Sequence, residues 1–138
     1  MRGFPELSFE IEEAVVSALR ANSAIVDGLL SGNAARIHQR FTFDERSVPG
    51  IRIQRIGDEV TELEARVLLQ FDFFGTTLQQ ARALRRLTLE TVYSDYHFTL
   101  GSVALRTEYQ GTRREDDPES GVAYLSTDVL FHPYREYT

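Results

Sequence analysis

The chain contains no cysteine and no lysine, so all 15 basic residues among its 138 are arginine. That composition excludes thiol nucleophiles, disulfides, thiolate zinc sites, Schiff-base lysines and the phosphate-binding lysine of a P-loop. Long hydrophobic runs are missing too: nothing approaches the length needed to span a bilayer. The opening Met1-Arg2-Gly3-Phe4-Pro5-Glu6-Leu7 lacks the apolar stretch of a secretory signal. These absences read as a soluble, non-exported protein with no membrane partner. The formal charge of −6 argues against a free-standing binder of duplex DNA, which normally carries a basic face.

What is present is architectural. A chain of this length buries roughly 70% of its unfolded surface around one core, so residues 1–138 are expected to form one domain with short arms at Phe4-Pro5 and from Pro133 to Thr138. Ser8 is the expected cap of a first helix, whose stripe is Ile11, Ala14, Val15, Ala18 and Leu19. Asn22-Ser23 interrupts it, and a short helical turn follows over Ala24 to Leu30. From Arg36 the period changes to two, with Ile37, Phe41 and Phe43, then Ile51 and Ile53, read as a hairpin around a loop at 44–50.

A turn at Gly57-Asp58 is expected to lead into the most regular strand. Leu63, Ala65, Val67, Leu69, Phe71 and Phe73 fall on one side; Glu62, Glu64, Arg66, Gln70 and Asp72 fall on the other. Thr76 or Thr77 caps a second long helix, with Gln79 and Gln80 at capping-box spacing and an end near Ser94 or Asp95. Val103, Leu105, Thr107 and Tyr109 begin a last hairpin. The turn Asp117-Pro118-Glu119-Ser120-Gly121 returns the chain into Ala123, Leu125, Thr127, Val129 and Phe131.

This order, α-β-β-β-α-β-β, predicts an α+β fold in two layers: a mainly antiparallel sheet with two helices on one face. The opposite face is expected to carry Leu68, Val122, Tyr124 and Leu130, more apolar surface than a solvated face needs. Leu68, Tyr124 and Leu130 are therefore candidate subunit-contact residues. Charge is also segregated. Arg46, Arg52 and Arg55 make the first hairpin basic, while Asp58, Glu59, Glu62 and Glu64 follow as an acidic run, a pattern suited to head-to-tail contacts between copies.

Chemistry is sparse by comparison. Glu62 and Glu64 share a strand face, but a solvated edge accounts for them without catalysis. His38, His97 and His132 have no partner at metal-ligand spacing. Arg82, Arg85 and Arg86 share one side of the second helix and read as a solvated face. No cofactor and no catalytic residue is expected.

In its order of elements the sequence resembles the tail-terminator, or tail-completion, family of long-tailed bacteriophages and related gene-transfer particles. The carriers are Glu13-Ala14-Val15-Val16-Ser17-Ala18-Leu19-Arg20-Ala21-Asn22, the loop ending at Pro49, the strand Ala65 to Phe74 leading to Ala81-Arg82-Ala83-Leu84, and Asp116-Asp117-Pro118-Glu119-Ser120-Gly121. The resemblance implies a non-enzymatic virion subunit that forms a homo-oligomeric ring, commonly a hexamer, at the head-proximal end of the tail tube. Its partners would be the tail-tube protein and the head connector, with DNA passing through unbound. A neutral or acidic lumen suits such passage, and Glu62, Glu64, Arg66, Gln70 and Asp72 are the candidate lining. A head-tail connector of the same particle, or a small α+β enzyme or ligand-binding domain, are the alternatives.

Overall fold

The first helix, α1 (Phe4–Arg20), starts earlier than Ser8. Pro5 falls in its first turn, where a missing N–H leaves no helical bond unmade. In this computed structural model, residues 4–39, 49–60, 65–92, 97–100, 103–114 and 123–133 are described. Ile11, Val15 and Leu19, four residues apart, are fully buried. Asn22 caps α2 (Ser23–Leu29), its side-chain oxygen accepting from the N–H groups of Ala24 and Ile25 at 3.0 and 3.3 Å. The Asn22 amide also donates to Thr91 Oγ1 at 2.9 Å, which ties α2 to the third helix. After α2 the chain turns through left-handed Ser31 and Gly32, and the Gly32 N–H closes on the Val26 carbonyl at 2.8 Å.

A 3₁₀ turn (Ala34–Arg36) precedes β1 (Ile37–His38), and here an expectation fails. The strand β1 pairs with β2 (Gly50–Val60) in parallel, Ile37 opposite Ile51 and His38 opposite Arg52, so the two do not form a hairpin. Two residues of ladder suffice because β1 is anchored from the helix layer. The Arg20 guanidinium donates twice to the Ile37 carbonyl, at 3.0 and 2.6 Å, and the Ile37 side chain is fully buried.

The expected turn at Gly57-Asp58 is also corrected. The strand β2 continues to Val60 and pairs antiparallel with β3 (Ala65–Gly75), with a bulge between Arg55 and Gly57. Glycine relaxes the backbone of a bulge as readily as that of a turn, which is why the two look alike in sequence. Helix α3 (Leu78–Val92) follows β3 at once. Thr77 Oγ1 accepts from the Gln80 N–H at 3.2 Å, the forward half of the expected capping box, while Gln80 Oε1 reaches one residue further back and accepts from the Thr76 N–H at 2.9 Å.

The sequence reading missed β4 (His97–Leu100), four residues paired antiparallel with β5 (Val103–Arg114). The last strand, β6 (Ala123–Pro133), lies between β3 and β5. The result is a six-stranded sheet in the order β1-β2-β3-β6-β5-β4, with a single parallel pair at its β1 edge. It is an α+β fold, as predicted. Alternation in β3 and β6 sends Val67, Leu69, Phe71, Phe73, Leu125, Val129 and Phe131 into one core with Ile11, Val15, Leu19, Ala81 and Leu84 of the long helices.

Candidate functional site on the second face of the sheet

Register fixes what the other face carries. Directly paired residues of antiparallel strands project to the same side. Reading across β2, β3, β6 and β5 therefore gives Arg52, Asp72, Ser126 and Arg113 in one row, with Gln54, Gln70 and Asp128 in the next. On one flank of these rows stand Phe74 and Tyr124; on the other, Leu68 pairs with Leu130. The face expected to be broadly apolar is polar at its centre and apolar toward its ends.

Asp72 is the hub. Its side chain has no exposed surface, and five neighbours donate to it. Arg52 Nε and Gln54 Nε2 reach Oδ2 at 2.7 and 2.8 Å, while Gln70 Nε2, Ser126 Oγ and Tyr124 Oη reach Oδ1 at 2.8, 2.9 and 3.1 Å. A carboxylate offers about four acceptor positions, so this one is fully engaged. The Arg52 guanidinium also lies 5.3 Å from the centre of the Phe74 ring, and Phe74 stacks on Tyr124 at 4.8 Å. Phe74 is 3% exposed, yet stands outside the main core. The network extends through Arg113, which donates to Asp128 at 3.2 Å and to Ser126 at 3.4 Å.

Such a cluster rigidifies. Every donor aimed at Asp72 is taken up inside the chain, and the carboxylate has no open approach for a substrate proton. Among the described residues, no group of three or more His, Asp or Glu side chains could hold a metal ion. His132, half-buried, lies 3.5 Å from Glu108, and the exposed Arg106 pairs with the same carboxylate at 3.7 Å.

These positions revise the sequence assignments residue by residue. Arg52 is a buried partner of Asp72, so it does not stand free to dock on a neighbour. Arg55 is exposed but belongs to the helix-bearing side, paired with Leu69, where its charge acts on Glu12 of α1. Asp72 contacts no solvent and so is not a solvated lining side chain; it is buried against Arg52, directly opposite it on β2. Gln70 stands beside it, half-buried, as its donor.

Leu68, Tyr124 and Leu130 do share the second face and are half-buried. Asp58, Glu59 and Arg66 are placed by backbone alone, Asp58 opposite Val67 and Glu59 opposite Arg66. Arg46, Glu62, Glu64 and Val122 lie outside the described residues. The convergence of Gln54, Ser126 and Arg113 on this centre was missed. Its signal lies in strand register, which alternation does not supply.

Glu12 is the described titratable group that departs most clearly from ordinary behaviour. Burial pushes its carboxyl above the usual range; the charge of Arg55 and a hydrogen bond from Gln39 oppose this, and Glu13 adds to it.

The fold and site together define a layered α+β protein whose second sheet face is braced by a closed polar network. The fold has relatives among solved structures. One chain from a structure described as the virion of a native gene transfer agent particle superposes with a TM-score of 0.62 at 12% identity, over 86% of this chain and 90% of that one. No protein-family model matches the sequence, and no curated protein matches it either. At this identity the likeness establishes a shared fold.

Proposed function

We propose that the chain is a structural subunit of a phage-like or gene-transfer particle. It forms a ring, with six subunits the expected number, at the head-proximal end of the tail tube, ends tube growth and presents a surface to the head connector. The observation that carries this reading is near end-to-end agreement with a chain of a gene-transfer-agent virion. The order of elements in the sequence separately suggested a resemblance to the tail-terminator family of such particles. The chemistry is compatible with it: the donors around Asp72 are used in bracing a sheet face.

In this arrangement Leu68, Leu130 and Tyr124 contribute to contacts between subunits. Of the candidate lumen residues, Arg66 and Gln70 lie within β3, on either side of Leu68, so the lumen and the contact surface would meet along this strand. DNA then passes a surface of low positive charge. No resident cofactor is needed.

Negative-stain images and native mass spectrometry of the purified protein, alone and with the tail-tube protein, test the reading. Closed rings of one stoichiometry are the expected result. A monomer that persists at high concentration and with the partner present overturns it.

A further inference from the structure

Among the described residues, five arginines have partners on the chain itself. Arg20 donates to Ile37, Arg36 to Pro49, Arg52 to Asp72 and Arg113 to Asp128, and Arg106 pairs with Glu108. Three on α3 do not. Arg82, Arg85 and Arg86 have no hydrogen-bond or ion-pair partner among the described residues, although acidic residues outnumber basic ones, 21 to 15. All three line an open concavity of about 830 Å³ along α3, together with Gln79, Leu89 and Glu90. Arg85 is half-buried there, and its Nε is shielded from solvent with no acceptor.

This arrangement costs the isolated subunit something. Arg82 lies three and four residues before Arg85 and Arg86, so like charges face each other along the helix. A buried donor without an acceptor adds to that cost. Both penalties vanish if an anionic surface fills the groove.

The sequence offers a matching acidic row on α1. Glu13 is exposed and unpaired among the described residues, and the sequence sets Glu6 and Glu10 at i−7 and i−3 from it, a spacing that keeps all three on one helix face. Glu12 does not belong to this face, because it is turned toward Arg55 and Gln39. Three acids at helical spacing meet three bases at helical spacing. The two surfaces differ, so the contact between copies is heterologous and propagates head to tail, the geometry a ring needs.

We infer that the arginine groove of α3 receives the acidic face of α1 from a neighbouring copy of the chain. The inference rests on the ring reading and names the contact that closes it.

Two variants test it: Arg82→Glu/Arg86→Glu, at exposed groove positions, and Glu10→Arg/Glu13→Arg. Each alone should keep the far-UV spectrum of the parent while assembling at least about ten-fold more weakly, because each sets like charges against each other. Mixed in equal amounts they should recover assembly, since every contact then joins opposite charges. Native mass spectrometry with one variant isotopically labelled should show strict alternation. Should a reversal fail to fold, Arg82→Gln/Arg86→Gln must still weaken assembly and reduce its salt sensitivity.

Unchanged assembly of folded variants overturns the inference and leaves the ring standing. Loss of assembly in each variant without recovery on mixing overturns the α1–α3 pairing. Loss of duplex-DNA binding with assembly intact assigns the groove to nucleic acid and overturns it as well. A wild-type chain that never assembles removes both the contact and the ring.

Discussion

Asp72 brings a carboxylate into a site with no exposed surface, and the cost of removing it from water is offset by five donors converging on two oxygens. Removing the acid takes from Arg52 the carboxylate it is buried against at 2.7 Å. Asp72→Ala should therefore destabilise the subunit by about 3–5 kcal/mol, the usual cost of breaking a buried pair from one side. Tyr124→Phe deletes one donor of five and should cost about 1 kcal/mol. Urea denaturation of both variants gives the comparison, and equal effects would show that the network does not centre on Asp72.

Glu12 of α1 is a carboxyl whose titration moves on folding. Its folded carboxyl titrates above the unfolded one, so folding is favoured with the group protonated, and that contribution is lost as pH rises through the folded value. Glu12→Gln removes the titration while keeping a polar partner for Gln39. The variant should gain thermal stability relative to the parent at pH 7, and the gain should shrink toward pH 4. A difference that is flat across this range would contradict the assignment.

Between elements, the tightest joint is the step from β3 into α3. A Cβ built on Gly75 would lie 2.6 Å from the Thr77 carbonyl oxygen and 2.8 Å from the Ala81 nitrogen, both backbone atoms of the helix start. Neither atom can give way without moving the capped first turn. Gly75→Ala should cost about 1–3 kcal/mol, the range for forcing added volume into packed structure, and be read as a lower denaturation midpoint.

The elements with long periodic patterns were legible in the sequence. The α1 stripe, the alternation of β3 and β6 and the cap of α3 all follow from local spacing. What failed was non-local. The two-residue β1 is held by Arg20 reaching across 17 positions, and β4 is four residues long; neither leaves a readable period. The site failed for a related reason. A turn at Gly57-Asp58 would have set Arg52 opposite a residue near Leu63, whereas the longer β2 sets it opposite Asp72. One misplaced turn therefore hides an ion pair, even when every residue is assigned to the correct face.

For the whole molecule, the decisive question is how an assembly through which DNA would pass avoids holding it. Each arginine that contacts a phosphate releases counterions and strengthens binding, so a passive passage requires that few arginines remain available. The net charge is −6, and two of the arginines on the second face, Arg52 and Arg113, are already paired with Asp72 and Asp128. Among the described residues, Arg82, Arg85 and Arg86 of α3 have no partner on the chain; they stand on the helix side of the sheet, and a neighbouring copy is their proposed partner. The assembled protein should show little affinity for duplex DNA in gel-shift titrations, even at low salt. The isolated subunit gives the sharper comparison. If Arg82, Arg85 and Arg86 served phosphate, log K would fall against log salt with a slope of about −3, and Arg82→Glu/Arg86→Glu would abolish the binding. A passive passage predicts no measurable slope, because there is no binding to lose, and no difference between parent and variant; tight, steeply salt-dependent binding by the assembled form would overturn it.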